Sequence, residues 1–260
     1  MSLPTNNKSA MLTIDWDYFV PEDPIHDFGH MENLFFLDQI WWFRVQYIDN
    51  IKTSGEELVF WNRLREKNIF PIDQVWVSDS HLPAYDIADL YNIDTIVSVD
   101  AHHDVWDLKE TEKGCEVDCG SWARYWLHSE FGRELLWVPS PTGTDDPETK
   151  PDGFAKIDLG DLSGWEFPVV HICRSGCWTP PWLDDEFIDF VGSGKFGKVI
   201  TKFPNGCDTS WQDERWNPIK IRWTPDEING ARELDYDMRA REAAFEAEAK
   251  KYPCVNKLEV

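Results

Sequence analysis

The stretch "VSVDAHHDVW", residues 97–106, joins an apolar, β-branched run to a dense polar cluster. The run that leads to Asp100 is typical of a buried β-strand. His102, His103 and Asp104 follow it almost at once. Acids and imidazoles at the end of a buried strand are costly unless something binds them. The stretch therefore predicts a strand that ends at a binding site.

Similar apolar runs recur along the chain and alternate with segments of helical length. The predicted strands cover 11–14, 74–77, 95–99, 168–173 and 198–203. The predicted helices cover 31–49, 55–67, 83–91, 121–131 and 182–192. Strands that alternate with helices favour an α/β fold with a mostly parallel sheet. The segment 139–165 is expected to be a loop.

One domain is expected over residues 1–225, followed by a C-terminal helical extension over 226–260 that is rich in Ala, Glu and Arg. The extension suits either a solvated face or a homo-oligomer contact. The sequence "GSGKFGK" at 192–198 resembles a phosphate-binding loop, but it follows a predicted helix and precedes a predicted strand. Phosphate loops run from strand to helix, so this one is predicted to be a helix C-terminal turn.

The composition argues against several classes of partner. Asp and Glu number 48 against 25 Lys and Arg, which gives a net charge of −23. Such a composition repels nucleic acid and anionic lipid, and it suits either a cationic ligand or simply a soluble acidic surface with no such ligand. No apolar run approaches the ~20 residues of a membrane span, and the first residues lack the layout of a signal peptide. A cytoplasmic protein with reduced cysteines is therefore expected.

Three polar clusters follow predicted strands: "TIDWDYF" at 13–19, "VWVSDSHL" at 75–82 and the opening stretch. Ligands gather at the carboxyl ends of strands in open parallel sheets, so the clusters are expected to meet at one edge. Side chains alternate along a strand. The alternation places Asp100, His102 and Asp104 on one face. It turns His103 to the other face.

The expected metal ligands are the acids and imidazoles that share this edge: Asp15, Asp17, His81, Asp100, His102 and Asp104. Four carboxylates this close cannot all stay ionised without a counter-charge. Two divalent cations would supply it, and carboxylate and imidazole ligands suit Mn²⁺ better than zinc. Two such ions about 3.5–4 Å apart would activate water for hydrolysis. The cysteine pairs Cys115/Cys119 and Cys173/Cys177 leave a structural zinc site as an alternative.

These clusters resemble motifs of the ureohydrolase superfamily of arginases and agmatinases. "DAHHD" at 100–104 resembles the D-A-H-x-D motif, "IDWDYFVPEDP" at 14–24 resembles S-x-D-x-D-x-x-D-P, and "SDSH" at 78–81 is a looser version of G-G-D-H. In typical arginases the D-x-D motif follows D-A-H-x-D, whereas here it comes first. The resemblance implies a three-layer arginase-like α/β fold whose motif order is permuted.

The resemblance also implies roles for individual residues. It implies two Mn²⁺ ions per chain with Asp100 and Asp15 bridging, His81 and Asp104 on one ion, and His102 and Asp17 on the other. Asp104 would also orient the attacking water and donate a proton, with His103 or His128 as a proton shuttle.

A closer similarity is to the arginase-like family that contains the peptide arginases, which convert arginine side chains of ribosomally made peptides to ornithine. It rests on "VWVSDSHLPAY", "VSVDAHHDVW", "GSWARYWL" (120–127) and "VVHICRSGCWTPPW" (169–182). The implied substrate is an arginine-containing peptide, and the implied products are ornithine and urea. Free arginine and agmatine remain alternatives.

Four further residues are candidate substrate contacts. Ser121 and Trp122 follow D-A-H-x-D at the distance where this superfamily places such contacts, although an N-capping Ser and a core Trp would look the same. Arg174 and Ser175 follow the predicted strand 168–173. Arg174 would grip a peptide carbonyl or carboxylate, or would pair with one of the acids.

Two rival functions stay open at this point. Histone deacetylases share the arginase-like fold and use a tandem His with a single zinc, as His102 and His103 would. Their ligand set needs fewer acids than this sequence offers. The other rival is a non-catalytic, arginase-like protein that binds a peptide.

Overall fold

The computed structural model describes residues 8–21, 51–66, 74–111, 114–130, 132–143 and 145–201. Within these residues an open seven-stranded sheet has the order β7-β6-β3-β1-β8-β2-β9, and every strand pairs in parallel with its neighbour. Its strands are β1 (Lys8–Asp15), β2 (Gln74–Ser78), β3 (Thr95–Asp100), β6 (Glu134–Pro139), β7 (Phe154–Lys156), β8 (Trp165–Cys173) and β9 (Lys198–Ile200). A separate antiparallel hairpin consists of β4 (Lys109–Thr111) and β5 (Gly114–Glu116).

Helices cover both faces of the sheet. The described α-helices are α1 (Glu57–Glu66), α2 (Pro83–Leu90), α3 (Trp122–Ser129) and α4 (Asp184–Ser193). Aromatic side chains of α1 and α4 pack on one face of the central strands, around Leu12, Ile14 and Ile172. Side chains of α2 and α3 pack on the other face, around Met11 and Val169. Because both faces are covered, the central strands read as continuous apolar runs rather than as an alternation.

The central strand β1 is the point at which the strand order reverses. After β1 the chain passes to β2, which lies two places away beyond β8, and then returns to β3 on the other side of β1. The crevice outside the carboxyl ends of the strands at such a reversal is the usual ligand site of an open α/β sheet.

The predicted α/β class and parallel sheet are confirmed, as are the five predicted strands and the four predicted helices that fall in the described region. The sequence "GSGKFGK" lies between the end of α4 and the start of β9, as expected for a turn rather than a phosphate loop. The predicted helix at 31–49, the boundary at 225 and the helical extension 226–260 lie outside the described residues.

The elements that the sequence did not predict lie mainly at the edge of the sheet formed by β7 and β6. The segment 139–165 was expected to be a loop, but it contains β7 and a short 3₁₀ helix at Leu159–Leu162. The strand β6 was not predicted either. Strand β8 begins three residues earlier than expected because the register against β1 shifts between Ser9 and Met11, which accommodates Pro168 inside a strand.

No helix in the described ranges combines the length and the apolar character that crossing a membrane requires.

Candidate metal centre

The candidate centre lies at the carboxyl ends of four neighbouring strands, β3, β1, β8 and β2. Asp100 is the last residue of β3 and Asp15 the last residue of β1. His81 comes three residues after β2, and Ser175 comes two residues after β8. The sheet therefore brings polar residues from distant parts of the sequence to one edge.

A first group of donors surrounds the Nδ1 atom of His81. This nitrogen lies 2.9 Å from Oδ2 of Asp100, 2.9 Å from Oδ2 of Asp104 and 3.4 Å from Oδ2 of Asp15. All four side chains are buried. His81, Asp15 and Asp100 each offer an atom close enough to the others to share one metal ion.

A second group of donors surrounds the Nδ1 atom of His102. It lies 2.9 Å from Oδ2 of Asp17 and 3.9 Å from Oδ1 of Asp100. These three residues also have the spacing of a metal site. Asp100 belongs to both groups, with Oδ2 toward His81 and Oδ1 toward His102. Asp15 has metal-site spacing with the first group, and its Oδ1 also accepts a hydrogen bond from the N–H of Asp17 in the second group.

Local backbone structure sets these positions. Asp15 caps the 3₁₀ helix Trp16–Phe19, and its Oδ1 accepts a hydrogen bond from the backbone N–H of Asp17. The N–H of His102 donates in the same way to Oδ1 of Asp100. Asp104 has a φ of +53°, a left-handed conformation that is uncommon outside Gly. The common side of Asp100, His102 and Asp104 therefore arises from a tight bend after β3, and not from strand alternation.

The electrostatics of the two groups show an excess of buried negative charge. Burial raises the pKa of Asp15 well above its usual value, and the charges of Asp17 and Asp100 raise it further. Burial and nearby carboxylates likewise raise the pKa of Asp100 well above its usual value. Burial alone would lower the pKa of His81 and His102, but the facing carboxylates outweigh it and raise both. For Asp17, burial alone would raise the pKa, but the charge of His102 together with the hydrogen bonds to the Asp17 carboxylate outweighs it and lowers the pKa.

The donor set fits divalent cations. Nδ1 of His81 and Oδ2 of Asp100 are buried and have no hydrogen-bond partner among the described residues, although they lie 2.9 Å apart. Unpartnered buried polar atoms are costly, and a metal ion would satisfy both. The ligand types are carboxylate and imidazole, which suit Mn²⁺. The cysteine alternative finds no support in the described region, where the groups with metal-site spacing contain no cysteine.

His103 lies apart from the two groups, as its position in the sequence suggested. Its ring packs 4.6 Å from the ring of Trp106. Its Nδ1 accepts a hydrogen bond from the N–H of Val105, so the proton of the neutral ring is on Nε2, which lies 3.5 Å from Asp145. Burial lowers the pKa of His103 despite Asp145. The ring is therefore a neutral donor beside the centre.

Ser121 and Trp122 are both buried at the start of α3. The Ser121 hydroxyl donates to Oδ1 of Asp118 and accepts from its N–H. Nε1 of Trp122 donates to Oδ2 of Asp104 at 2.5 Å, and its ring lies 4.9 Å from the His81 ring. Neither side chain lines the cavities described below. Their positions therefore favour support of Asp104 over contact with a substrate.

Arg174 and Ser175 have different surroundings. Arg174 donates to Asp184 at the start of α4 and to Asp79 after β2, which matches the pairing alternative of the sequence analysis. A Cβ on Gly176 would come within 2.5 Å of the Arg174 guanidinium and 2.8 Å of Asp79 Oδ1, so a larger residue there would displace this ion pair. Ser175 is buried and lines the cleft over the centre.

Two cavities adjoin the centre. A cleft of about 20 Å³, close to the room that one water molecule needs, is lined by Asp15, His81, His102, Asp104, Trp106, Cys119, Gly120, Ser175 and Trp178. A larger cavity of about 370 Å³ lies beside it, and Trp106, Cys119 and Gly120 line both. Its wall also carries Asp107, Asp118 and Glu148, as well as His103 and Arg124. The larger cavity is of the size that small-molecule sites have.

A buried hydrogen-bond chain, which the sequence did not predict, lies beneath the centre. Oγ1 of Thr13 lies 2.7 Å from Nε2 of His81 and 2.9 Å from Nδ1 of His171. Nε2 of His171 lies 2.7 Å from Oγ of Ser78. Burial lowers the pKa of His171 well below its usual value. The one sign of this hydrogen-bond chain in the sequence is the histidine inside the apolar run "PVVHIC", because a buried strand seldom contains a polar side chain.

Comparison with known proteins finds no relative: no family model, curated protein or solved structure matches the chain.

Proposed function

We propose that this chain is a hydrolase of the arginase type, which holds two Mn²⁺ ions and converts peptidyl arginine to ornithine with release of urea. The observation that carries the proposal is the division of Asp100 between two donor groups. One of its oxygens faces His81 and the other faces His102. A shared carboxylate between two imidazole-carboxylate sets is the arrangement that two adjacent cations require.

The residues named would hold the ions in two sets that share Asp100. His81 with Asp15 and Asp104 forms one set, and His102 with Asp17 forms the other. Bound cations would neutralise the buried carboxylates. They would also lower the pKa of a bound water molecule, so that it can act as a nucleophile near neutral pH. The donor set contains more acids than a single zinc needs, which favours this proposal over the deacetylase-like rival.

Asp104 and His103 would transfer the proton of the attacking water. Asp104 is held by the Trp122 N–H, so its carboxylate is oriented toward the cleft that the centre lines. In this role it would accept a proton from the attacking water and return it to the leaving amine. His103, with its Nε2 proton in the wall of the larger cavity, would relay a proton to solvent. In the whole reaction one water adds to the guanidinium carbon, the bond to the side-chain nitrogen breaks, and urea leaves.

A peptidyl arginine suits the space and charge around the centre. The larger cavity joins the cleft over the centre at Trp106, Cys119 and Gly120, so the substrate would approach the centre from that side. That cavity carries three acids against the single cation Arg124, which pairs with Asp107, and it is also lined by Trp106; acids and an aromatic ring complement a cationic head and an alkyl stem. The net charge of −23 would also attract a cationic substrate by long-range electrostatics.

An arginase-like fold with permuted motif order is part of this proposal. The strand with the D-x-D motif, β1, pairs directly with the strand that precedes D-A-H-x-D, β3. Because the two are neighbours in a parallel sheet, the order in which the chain visits them does not change which side chains meet at the edge.

The test is an assay of the Mn²⁺-reconstituted chain on arginine-containing peptides, with free arginine, agmatine and an acetyl-lysine peptide in parallel. Urea release, together with loss of CH₂N₂ from the peptide mass, is expected for the peptides. Acetate release would instead support the deacetylase-like function. Peptide binding without turnover, in a chain loaded with metal, would support the non-catalytic protein. The Asp100→Asn variant is the control for contaminating activity.

A further inference from the structure

His171 occupies an unusual position for a histidine. It is fully buried in the middle of β8, between apolar neighbours in the strand, and pairs in register with Thr13 on β1. Both of its ring nitrogens are hydrogen-bonded, one to Thr13 and one to Ser78. Neither partner is a carboxylate, so burial keeps the ring neutral. A neutral ring has one donor and one acceptor, and its neighbours decide which nitrogen is which.

The direction of each hydrogen bond follows from the Ser78 end. The Ser78 hydroxyl donates its single hydrogen to the carbonyl oxygen of Ser80. It must therefore accept from Nε2–H of His171, which leaves Nδ1 of His171 as an acceptor. The Thr13 hydroxyl donates its hydrogen to that Nδ1. The Thr13 oxygen is then an acceptor, and the group it faces is Nε2–H of His81.

The consequence lies at the candidate centre. With its proton held on Nε2, a neutral His81 presents an unprotonated Nδ1 to Asp100 and Asp104, both 2.9 Å away. We infer that His171 and Thr13 are positioning residues that fix the tautomer of His81, so that its Nδ1 is available as a metal ligand. Partners of this kind raise the affinity of a ligating histidine for its metal. The inference rests on the proposed metal centre.

Thr13 allows a matched test. Thr13→Val has the same shape but neither donates nor accepts, whereas Thr13→Ser keeps the hydroxyl. The measurement is Mn²⁺ affinity by calorimetric titration of the metal-free protein. We expect Thr13→Val to bind Mn²⁺ about 10- to 100-fold more weakly than wild type, and Thr13→Ser to restore most of the affinity. Ser78→Ala, which frees Nε2 of His171, is a second variant and should weaken binding in the same direction.

A second readout does not depend on metal or on any variant. Nitrogen NMR of the imidazole side chains of the metal-free wild type should show His171 neutral with its proton on Nε2. A proton on Nδ1 of His171, or equal Mn²⁺ affinity in wild type and Thr13→Val, would overturn the inference. If wild type itself binds no Mn²⁺, the proposed function fails as well, which distinguishes that outcome from failure of the hydrogen-bond chain alone.

Discussion

Nδ1 of His81 and Oδ2 of Asp100 lie 2.9 Å apart in the interior of the protein, yet no hydrogen bond joins them. The chain through Thr13 places the proton of a neutral His81 on its other nitrogen. Two lone pairs would then face each other at this distance, which is unfavourable unless a positive charge lies between them. In the metal-free protein a proton supplies that charge, in line with the raised pKa values of His81 and Asp100, and a divalent cation would replace the proton and use both atoms as ligands.

The metal-free protein is expected to be more stable in mild acid than in mild base. Asp15, Asp100, His81 and His102 all have raised pKa values, so the folded state holds protons that the unfolded chain has released. Their contribution to stability is therefore present at low pH and is lost as pH rises through the folded pKa values. The lowered pKa of Asp17 acts below its usual value, outside this window. The lowered pKa values of His103 and His171 act in the opposite direction at the acid end of the window, and the four raised groups outnumber them.

The measurement is urea-induced unfolding of chelator-treated protein at about pH 6 and about pH 8, on either side of the usual histidine pKa. The free energy of unfolding should be larger at the lower pH. With saturating Mn²⁺ the order should reverse, because metal ligands must be deprotonated to bind. The same order with and without Mn²⁺ would contradict a metal site at these residues.

Trp122→Phe should weaken the centre while leaving the core of α3 filled. The variant removes the N–H that Asp104 accepts, and loss of such a partner reduces metal affinity or activity by about 10- to 100-fold. Trp126→Phe is the matched control, because Trp126 is equally buried in the same helix and its Nε1 has no hydrogen-bond partner among the described residues. Equal effects of the two changes on Mn²⁺ affinity would count against the role of Trp122.

Arg174→Met should act on stability rather than on substrate affinity. The change leaves Asp79 and Asp184 without their guanidinium partner. Because Asp79 is buried whereas Arg174 and Asp184 are half-buried, the loss of unfolding free energy should exceed that of an exposed pair and stay below the value of about 3 to 5 kcal/mol for a fully buried one. Arg63→Met, which breaks an exposed pair with Glu56, should cost at most about 1 kcal/mol. Denaturant unfolding measures both. A raised KM with unchanged stability would show instead that Arg174 contacts the substrate.

His103→Asn should lower the rate of proton transfer without changing metal binding. The side chain contacts neither donor group, so metal content should be unchanged, whereas loss of a general acid-base residue lowers kcat by about 10²- to 10⁴-fold. Metal analysis and steady-state assay of the same preparation measure both. An unaltered kcat and pH profile would remove His103 from the catalytic set.

The sequence predicted which side chains meet at the sheet edge better than it predicted the limits of the sheet. Polar residues directly after apolar runs identified the edge at which Asp15, His81 and Asp100 meet, because parallel strands end at a common edge. Strand β7 could not be found in this way, since its three residues "FAK" are mostly solvated and have no apolar pattern. Its place in the sheet depends on pairing with β6, a contact distant in sequence.

Residue roles proved harder to predict than residue positions. Trp122 was a candidate substrate contact, but its N–H bonds Asp104. Thr13 and His171 went unnoticed, because their importance lies in hydrogen bonds between strands and neither has a motif around it. Strand alternation separated His103 from His102 correctly, although the left-handed Asp104 shows that a bend produces the separation.

The most direct test of the proposed centre is the metal content per chain after reconstitution with Mn²⁺, for wild type and for Asp100→Asn. Two ions in wild type are expected, with loss of both in the variant, because Asp100 is the residue that the two donor groups share. A single zinc that binds in preference to Mn²⁺ would favour a deacetylase-like centre. No bound metal in a folded wild-type chain would contradict the proposed hydrolase.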